Sequence, residues 1–396
     1  MTFFVNLIRV TVFFISMAVA TQGAHAGTVA DQTESQLFTG KLGDRPIVLE
    51  LSIKTDGDVR GRYFYRRYRR DREVSGERHA DGQLVLKEEV STNYLIDDVE
   101  LPTLTLRPTP EQGWRGEWRT SSGEKAEVML YPLNVAMPMA QSPAFMQNLY
   151  RHSHYDYVRS QGMEPRLINK TTVNGYDVEE WQDPISGAQT VQLVSGYTPE
   201  QRDQLNDNLI AVLWEQAEIF HRCAMISNSM GYSATAFSLR LLSPAVISYT
   251  VERMSTCSDI GQGVFAMSGI TLRSRDAKPL VLKDILWDAQ SPSSSATSQG
   301  DSDSPGDEFT QWLLEQFNAR YPTQMNDAFL VDGEACQYGD AESWELMEWY
   351  LTPEGVHFLP GPFVSAKPEC YKPDWSVLPW EVVKQHPGRL KDIPLP

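Results

Sequence analysis

Seven arginines crowd one stretch of an otherwise acidic chain: Arg60, Arg62, Arg66, Arg67, Arg69, Arg70 and Arg72, with Tyr63, Phe64, Tyr65 and Tyr68 among them. A guanidinium grips phosphate or carboxylate through paired hydrogen bonds, so Arg66, Arg67, Arg69 and Arg70 are candidate contacts for lipid phosphates or an acidic partner patch. The competing reading is a solvated hairpin tip, partly neutralised by Asp71 and Glu73. His152-Ser153-His154 with Asp156 is the best metal candidate, because strand alternation would put both imidazoles on one side. A third ligand at suitable spacing is missing, so the stretch reads as an exposed segment linking the two halves, and no metal is expected. Glu342, Glu345 and Glu348 recur at helical spacing beside Trp344 and Trp349, and a glycosidase needs two carboxylates near an aromatic ring. A solvated acidic face explains the same pattern. His79, His221, His357 and His386 stand singly. HExxH, GxSxG, a Walker loop and a dinucleotide-binding glycine motif are all absent, so neither a catalytic residue nor a cofactor is nominated.

These candidates need a scaffold, and the first half reads as strands. Ile47, Leu49, Leu51 and Ile53 alternate with polar neighbours, and Asp56-Gly57 supplies a hairpin turn. The next strand, Asp58–Arg66, puts Gly61, Tyr63 and Tyr65 on one face and Arg60, Arg62, Phe64 and Arg66 on the other. Asp81-Gly82 turns into Gln83–Glu88, and further strands follow at Thr103–Arg107, Trp114–Arg119 and Lys125–Tyr131. About eight short strands with frequent turns predict an antiparallel meander or small barrel over residues 27–135.

Residues 136–396 mix the two periods. Leu205, Leu209, Val212, Leu213, Ala217 and Phe220 share a helical face behind a capping signal, Thr198-Pro199-Glu200-Gln201. Val173–Glu180 and Gln189–Val194 read as two strands, and a hairpin turns at Ser243-Pro244. Gly263–Arg273 and Leu280–Leu286 are expected to continue the sheet or its edge. Residues 291–307 contain no large apolar side chain and read as a disordered loop. Their Asp301-Ser302-Asp303 opening resembles a calcium loop, but Pro305 and Trp312 occupy ligand positions. A helix with Phe309, Leu313 and Phe317 inward ends at Tyr321-Pro322, and a second hairpin turns at Pro353-Glu354-Gly355. Residues 344–396 are rich in aromatics, of which Trp344 and Trp349 are the candidates to face a ligand.

Arg9, the apolar run Val10–Ala20 and Ala24-His25-Ala26 before Gly27 form an export signal over residues 1–26. The run is too short for a membrane anchor, which needs about 18 to 20 apolar residues. The protein is expected to be exported: periplasmic if the host has an outer membrane, otherwise extracellular. Four cysteines in such a compartment argue for two disulfides. Three pairings are open, and the two hairpins favour Cys223–Cys257 and Cys336–Cys370. With 52 acidic against 35 basic residues the formal charge is −17, which excludes nucleic acid as a natural partner.

The second half carries a resemblance over about residues 155–384. A strand pair precedes a helix with Leu205-Asn206 and Leu209, then SLRLLSPAVISYTVERMSTC, GVFAMSGITLRSRDAKPLVLKDIL, a helix, LTPEGVHFLP and a terminal cysteine segment. This order resembles the exported domain of RsiV-type anti-sigma factors and the related non-catalytic portion of certain peptidoglycan deacetylases. The resemblance implies an α+β fold and a receptor for lysozyme, a cationic wall hydrolase. Those anti-sigma factors also carry a membrane anchor and a cytoplasmic segment, which are not expected here. The expected architecture is thus α+β: a β meander or barrel followed by a disulfide-stapled domain. The expected function is non-catalytic recognition in the cell envelope, of a cationic protein such as lysozyme or of anionic groups at the arginine hairpin. A wall-glycan hydrolase and a membrane-surface structural component are the alternatives.

Overall fold

The computed structural model describes residues 35–89, 101–140, 142–223, 225–226, 229–230, 232–256, 264–286, 307–326, 330–331, 334–361, 368–390 and 394. The expected export signal, the serine-rich stretch before Asp307 that is expected to be a disordered loop, and Cys257 lie outside the described residues.

Eight strands come first: β1 (Ser35–Leu42), β2 (Arg45–Ile53), β3 (Asp58–Tyr65), β4 (Asp71–Arg78), β5 (Leu84–Glu88), β6 (Thr103–Pro108), β7 (Trp114–Arg119) and β8 (Lys125–Pro132). Each pairs antiparallel with the next, and β1 returns to β8, so the expected meander closes into a barrel. Alternation explains the filling: Ile47, Leu49, Leu51, Tyr63, Leu84, Leu86, Leu104 and Leu106 are fully buried on the inner face. An eight-stranded barrel has an interior just wide enough for such side chains. Glycine is required where strands crowd; a Cβ at Gly116 would lie 1.8 Å from the carbonyl oxygen of Thr105. A small polar cluster enters the barrel. Glu88 accepts hydrogen bonds from Tyr63 Oη at 2.5 Å, Trp118 Nε1 at 2.7 Å and Arg72 Nη1 at 2.9 Å.

The outer face of β2 and β3 is not left to solvent. Helices α1 (Ala144–His152) and α2 (His154–Ser160) lie across it, burying Val48 and Phe64 against Tyr155, Tyr157 and Val158. The extended reading of residues 152–154 is therefore corrected. Ser153 ends the first helix and caps the second by accepting the Asp156 N–H at 3.1 Å.

Next comes a three-stranded sheet of β9 (Arg166–Val173), β10 (Tyr176–Gln182) and β11 (Gln189–Leu193). The single strand expected over Val173–Glu180 is split by Asn174 and Gly175, at φ +51° and +84°. An Asn-Gly pair reaches those angles easily and makes a two-residue hairpin turn. Helix α3 (Pro199–Arg222) starts at the expected Thr198–Gln201 capping box and buries Leu205, Leu209, Leu213 and Ala217. A short ladder of β12 (Met225–Ile226) and β13 (Ser229–Met230) leads to the sheet β14 (Tyr232–Leu242), β15 (Val246–Thr256) and β16 (Val264–Arg273).

Leu280–Leu286 meets that sheet only at its edge, where Pro279 bridges Leu272 and the Leu280 N–H donates to the Thr271 carbonyl at 2.8 Å. The rest leaves it and forms a single turn, α4 (Leu282–Ile285), because Asp284 turns back to accept the Val281 N–H at 3.1 Å. Helix α5 (Asp307–Arg320) buries Phe309, Leu313 and Phe317, as its period predicts. A ladder of β17 (Leu330–Val331) and β18 (Glu334–Ala335) precedes the last sheet, β19 (Glu348–Leu351), β20 (Gly355–Leu359) and β21 (Val377–Pro379), and α6 (Trp380–Gln385) closes the described elements. The Cys336–Cys370 disulfide crosslinks this terminal core. Cys223 is also disulfide-bonded, and its expected partner Cys257 lies outside the described residues. No described helix is long and apolar enough to cross a membrane.

Candidate functional site

The arginine hairpin and the His152–Asp156 motif, far apart in sequence, meet at the junction between barrel and helices. Strand alternation turns Arg62 outward from β3, beneath α2, with its guanidinium 4.2 Å from the centre of the Tyr155 ring. Arg159 projects from α2 and is completely buried. Its Nη1 meets Asp71 Oδ1 at 2.6 Å, while Nη2 meets Asp156 Oδ1 at 2.5 Å and Glu218 Oε2 at 2.8 Å. One guanidinium thereby joins the barrel, α2 and α3. Arg62 Nε reaches Glu50 at 2.8 Å, and Arg222 Nη2 reaches Asp156 Oδ2 at 3.0 Å. Tyr155 and Ser160 donate hydroxyl hydrogen bonds to Asp71 and Glu218, at 2.8 and 2.6 Å.

Burial works against every charge here, yet the arrangement compensates most of them. The Arg159 guanidinium is held charged against desolvation by Asp71, Glu218 and Asp156. Asp156 is likewise pulled below the usual carboxylate range by Arg159, Arg62 and Arg222, in spite of its burial. Glu218 is pushed up by burial, against the pull of Arg159. Above this lock opens a cleft of about 590 Å³ whose walls include Glu50, Arg62, His152, His154, Asp156 and Arg222. The carboxylates at its floor already face guanidinium groups, so the arrangement holds elements together and is poorly suited to moving protons.

The tip of the arginine hairpin divides in two. Arg66 and Arg67 are exposed; Arg66 Nη2 donates to Thr39 at 3.2 Å, and the Arg67 guanidinium lies over Tyr68. Arg69, at φ +57°, donates to the Gly162 carbonyl at 2.7 Å, and buried Arg70 donates to the Cys223 carbonyl at 3.0 Å. These two fasten the tip to the second half. Asp71 serves Arg159 and not the tip, which corrects the picture of a uniformly solvated hairpin.

His152, His154 and Asp156 do not assemble a metal site, and among the described residues no three His, Cys, Asp or Glu side chains do. Glu342 and Glu345 are exposed on and just after a 3-10 turn, whereas Glu348 sits on β19 and accepts the Gly269 N–H at 3.3 Å. The three therefore share no helical face. Trp344 has no exposed surface and donates its indole N–H to the Tyr338 carbonyl at 2.9 Å, while Trp349 is half-buried on β19. Arg159 and Glu218 escaped the sequence reading because their partners come from three distant elements. The available signal was Gln216, Glu218 and His221, polar residues beside the apolar stripe of α3.

His221 makes a pH prediction. Its ring is fully buried, neither nitrogen has a hydrogen-bond partner among the described residues, and the charged groups that act on it are Arg159, Arg69 and Arg70, with Glu218 one turn back on α3 engaged by Arg159. Burial and those cations hold it neutral, well below 6.5. The unfolded chain takes up this proton first, so stability is full above pH 6.5 and falls as the pH drops, by up to about 1.4 kcal/mol per pH unit. His357, held low by burial, adds its own share. Urea midpoints between pH 7 and 5 should therefore fall, and His221→Leu should remove part of that slope; an unchanged slope would refute the assignment.

A scan against protein-family models gives no match to this chain, and a search of curated proteins gives none either.

Proposed function

We propose that this chain is an exported, non-catalytic recognition protein of the cell envelope whose ligand is a cationic protein, with a wall hydrolase such as lysozyme as the sharpest case. The compartment is the periplasm where the host has an outer membrane, and the exterior otherwise. One observation carries the reading: the charge is segregated. Residues 35–135 hold 16 basic and 17 acidic side chains, whereas residues 136–396 hold 18 basic and 33 acidic. Acidity needed only for solubility has no reason to collect in one half, and a field of one sign steers partners of the other. The Cys336–Cys370 crosslink supports an oxidising compartment. The acidic half is also the part that resembles the RsiV-type domain. Its role there fits a molecule whose densest cluster of ionisable groups is closed upon itself.

Calorimetric titration with lysozyme at low and raised salt tests this reading. Saturable heat is expected at low salt, with affinity falling as salt rises. Cytochrome c, a cationic protein with no wall activity, is the comparison and should bind more weakly. No heat with lysozyme at either salt removes the lysozyme form of the reading, and equal binding of the two proteins reduces it to charge alone.

A further inference from the structure

A second cleft, of about 450 Å³, lies where the sheet of β14, β15 and β16 meets the β19–β20 hairpin. Two contacts fix that meeting. A Cβ at Gly269 would lie 1.9 Å from the Trp349 carbonyl oxygen, so only glycine lets β16 approach β19 this closely. The buried Ser248 hydroxyl of β15 accepts the Leu351 N–H of β19 at 2.9 Å. The cleft is therefore a fixed feature of the sheet junction, and its volume falls in the range of small-ligand sites.

One strand is irregular at this place. In the β14–β15 ladder Leu239 pairs with Tyr249 and Leu241 with Ser248, so Arg240 is the extra, unpaired residue of a β-bulge. A bulge re-aims a side chain, and bulges recur beside binding sites. Here it directs Arg240 to the cleft, where Nε donates to the buried Thr250 hydroxyl at 3.0 Å and the guanidinium lies 5.1 Å from the centre of the Tyr350 ring. Tyr350 in turn stacks on His357, with ring centres 4.6 Å apart, and His357 Nε2 donates to the Pro373 carbonyl at 2.7 Å. Arg240 is thus oriented from several sides. No carboxylate lies within 4 Å of it among the described residues, whereas Glu252, on the same cleft, is paired with Lys372 at 3.0 Å. Glu354 and Asp374, exposed on the rim, have no cationic partner among the described residues. Met267 and Leu359 supply an apolar wall.

We infer that this cleft binds the free ends of a short peptide: Arg240 takes the α-carboxylate in a bidentate grip, Glu354 and Asp374 face the α-ammonium, and an apolar side chain lies against Met267 and Leu359. The guanidinium fork matches a carboxylate, and its orientation by Thr250 and Tyr350 reduces the entropy lost on binding. The inference is independent of the cationic-protein reading, since it needs only the cleft.

Calorimetry on the full chain with alanyl-alanine, alanyl-leucine and alanyl-methionine tests it, alongside alanyl-leucine amide and N-acetyl-alanyl-leucine. At least one unprotected dipeptide should bind saturably, and the amide should bind about tenfold or more weakly, as loss of a charge-assisted hydrogen bond implies. Arg240→Gln should erase the preference for acid over amide, and Glu354→Gln with Asp374→Asn should erase the preference for free amine over acetyl. Thermal melts of the variants check that each is folded. Absence of heat with all three dipeptides at millimolar concentration, or an acid-over-amide preference that survives in a folded Arg240→Gln protein, overturns the inference.

Discussion

Replacing Arg159 with methionine is expected to destabilise the protein by about 3–5 kcal/mol, the cost typical of leaving buried charges without their partner. Methionine preserves much of the length and removes the fork that touches Asp71, Asp156 and Glu218. Arg62 and Arg222 remain, but they reach Asp156 only at 3.4 and 3.0 Å from the cleft side. Glu218, already pushed up by burial, should then take a proton, and Asp71 loses its closest cation. Arg159→Lys keeps the charge and loses the fork, so its effect should fall between the two proteins. Adding Asp71→Asn and Glu218→Gln to the methionine variant should recover part of the loss, because neutral amides need no counter-charge. This outcome separates an unpaired charge from a simple packing defect. Urea unfolding at pH 7 provides the measurement. A loss below about 1 kcal/mol for Arg159→Met would mean that water already screens the lock.

Much of the scaffold is legible because local rules decide it. The barrel strands follow from period-2 alternation and Asp-Gly turns, and α3 starts where Thr198 and Gln201 form a capping box. The Cys336–Cys370 bond is legible from the even spacing of the two cysteines about the Pro353 turn, although the β19–β20 ladder itself ends at Glu348 and Leu359. Failures occur where tertiary contacts override local pattern. The alternation of His152 and His154 suits a strand, but Tyr155, Tyr157 and Val158 must cover the outer face of β2 and β3, and a helix achieves that. Leu280–Leu286 has the apolar content of a strand and is turned into a helix by a capping interaction of Asp284. Asn174-Gly175 is a two-residue turn signal in its own right, and it divides the expected strand.

The charged sites were the least legible, for a related reason. The arginine run is conspicuous as composition, but composition does not say which residues face out. Arg62, Arg69 and Arg70 turn toward the second half, and Arg66 and Arg67 remain outside. A barrel half with nearly balanced charge is fastened to an acidic half by guanidinium groups, which explains why basic residues concentrate on one hairpin. Arg240 gave no signal at all, since a bulge is defined by the partner strand and not by its own sequence.

Removing the Cys336–Cys370 bond should cost about 3–4 kcal/mol on the chain-entropy model, given its sequence separation of 34 residues. Cys336→Ala with Cys370→Ala is the suitable variant, because serine would place hydroxyl groups where both cysteines are fully buried. Reduction of the natural protein would also open the Cys223 disulfide, so it cannot isolate this term. The loss should be local. Cys370 offers its carbonyl to Tyr338, which accepts the Trp344 indole N–H, and Trp344 packs on Phe317 of α5. Hydrogen exchange should therefore quicken in α5, β20 and the 3-10 turn at Ala341–Trp344. Barrel amides, whose ladder closes on itself through β1 and β8, should keep their protection. A loss below about 1 kcal/mol would show that the unfolded chain is already compact in this region. Equal loss of protection in the barrel would show that the two halves unfold as one unit through the Arg159 lock, and the methionine variant should then abolish that coupling.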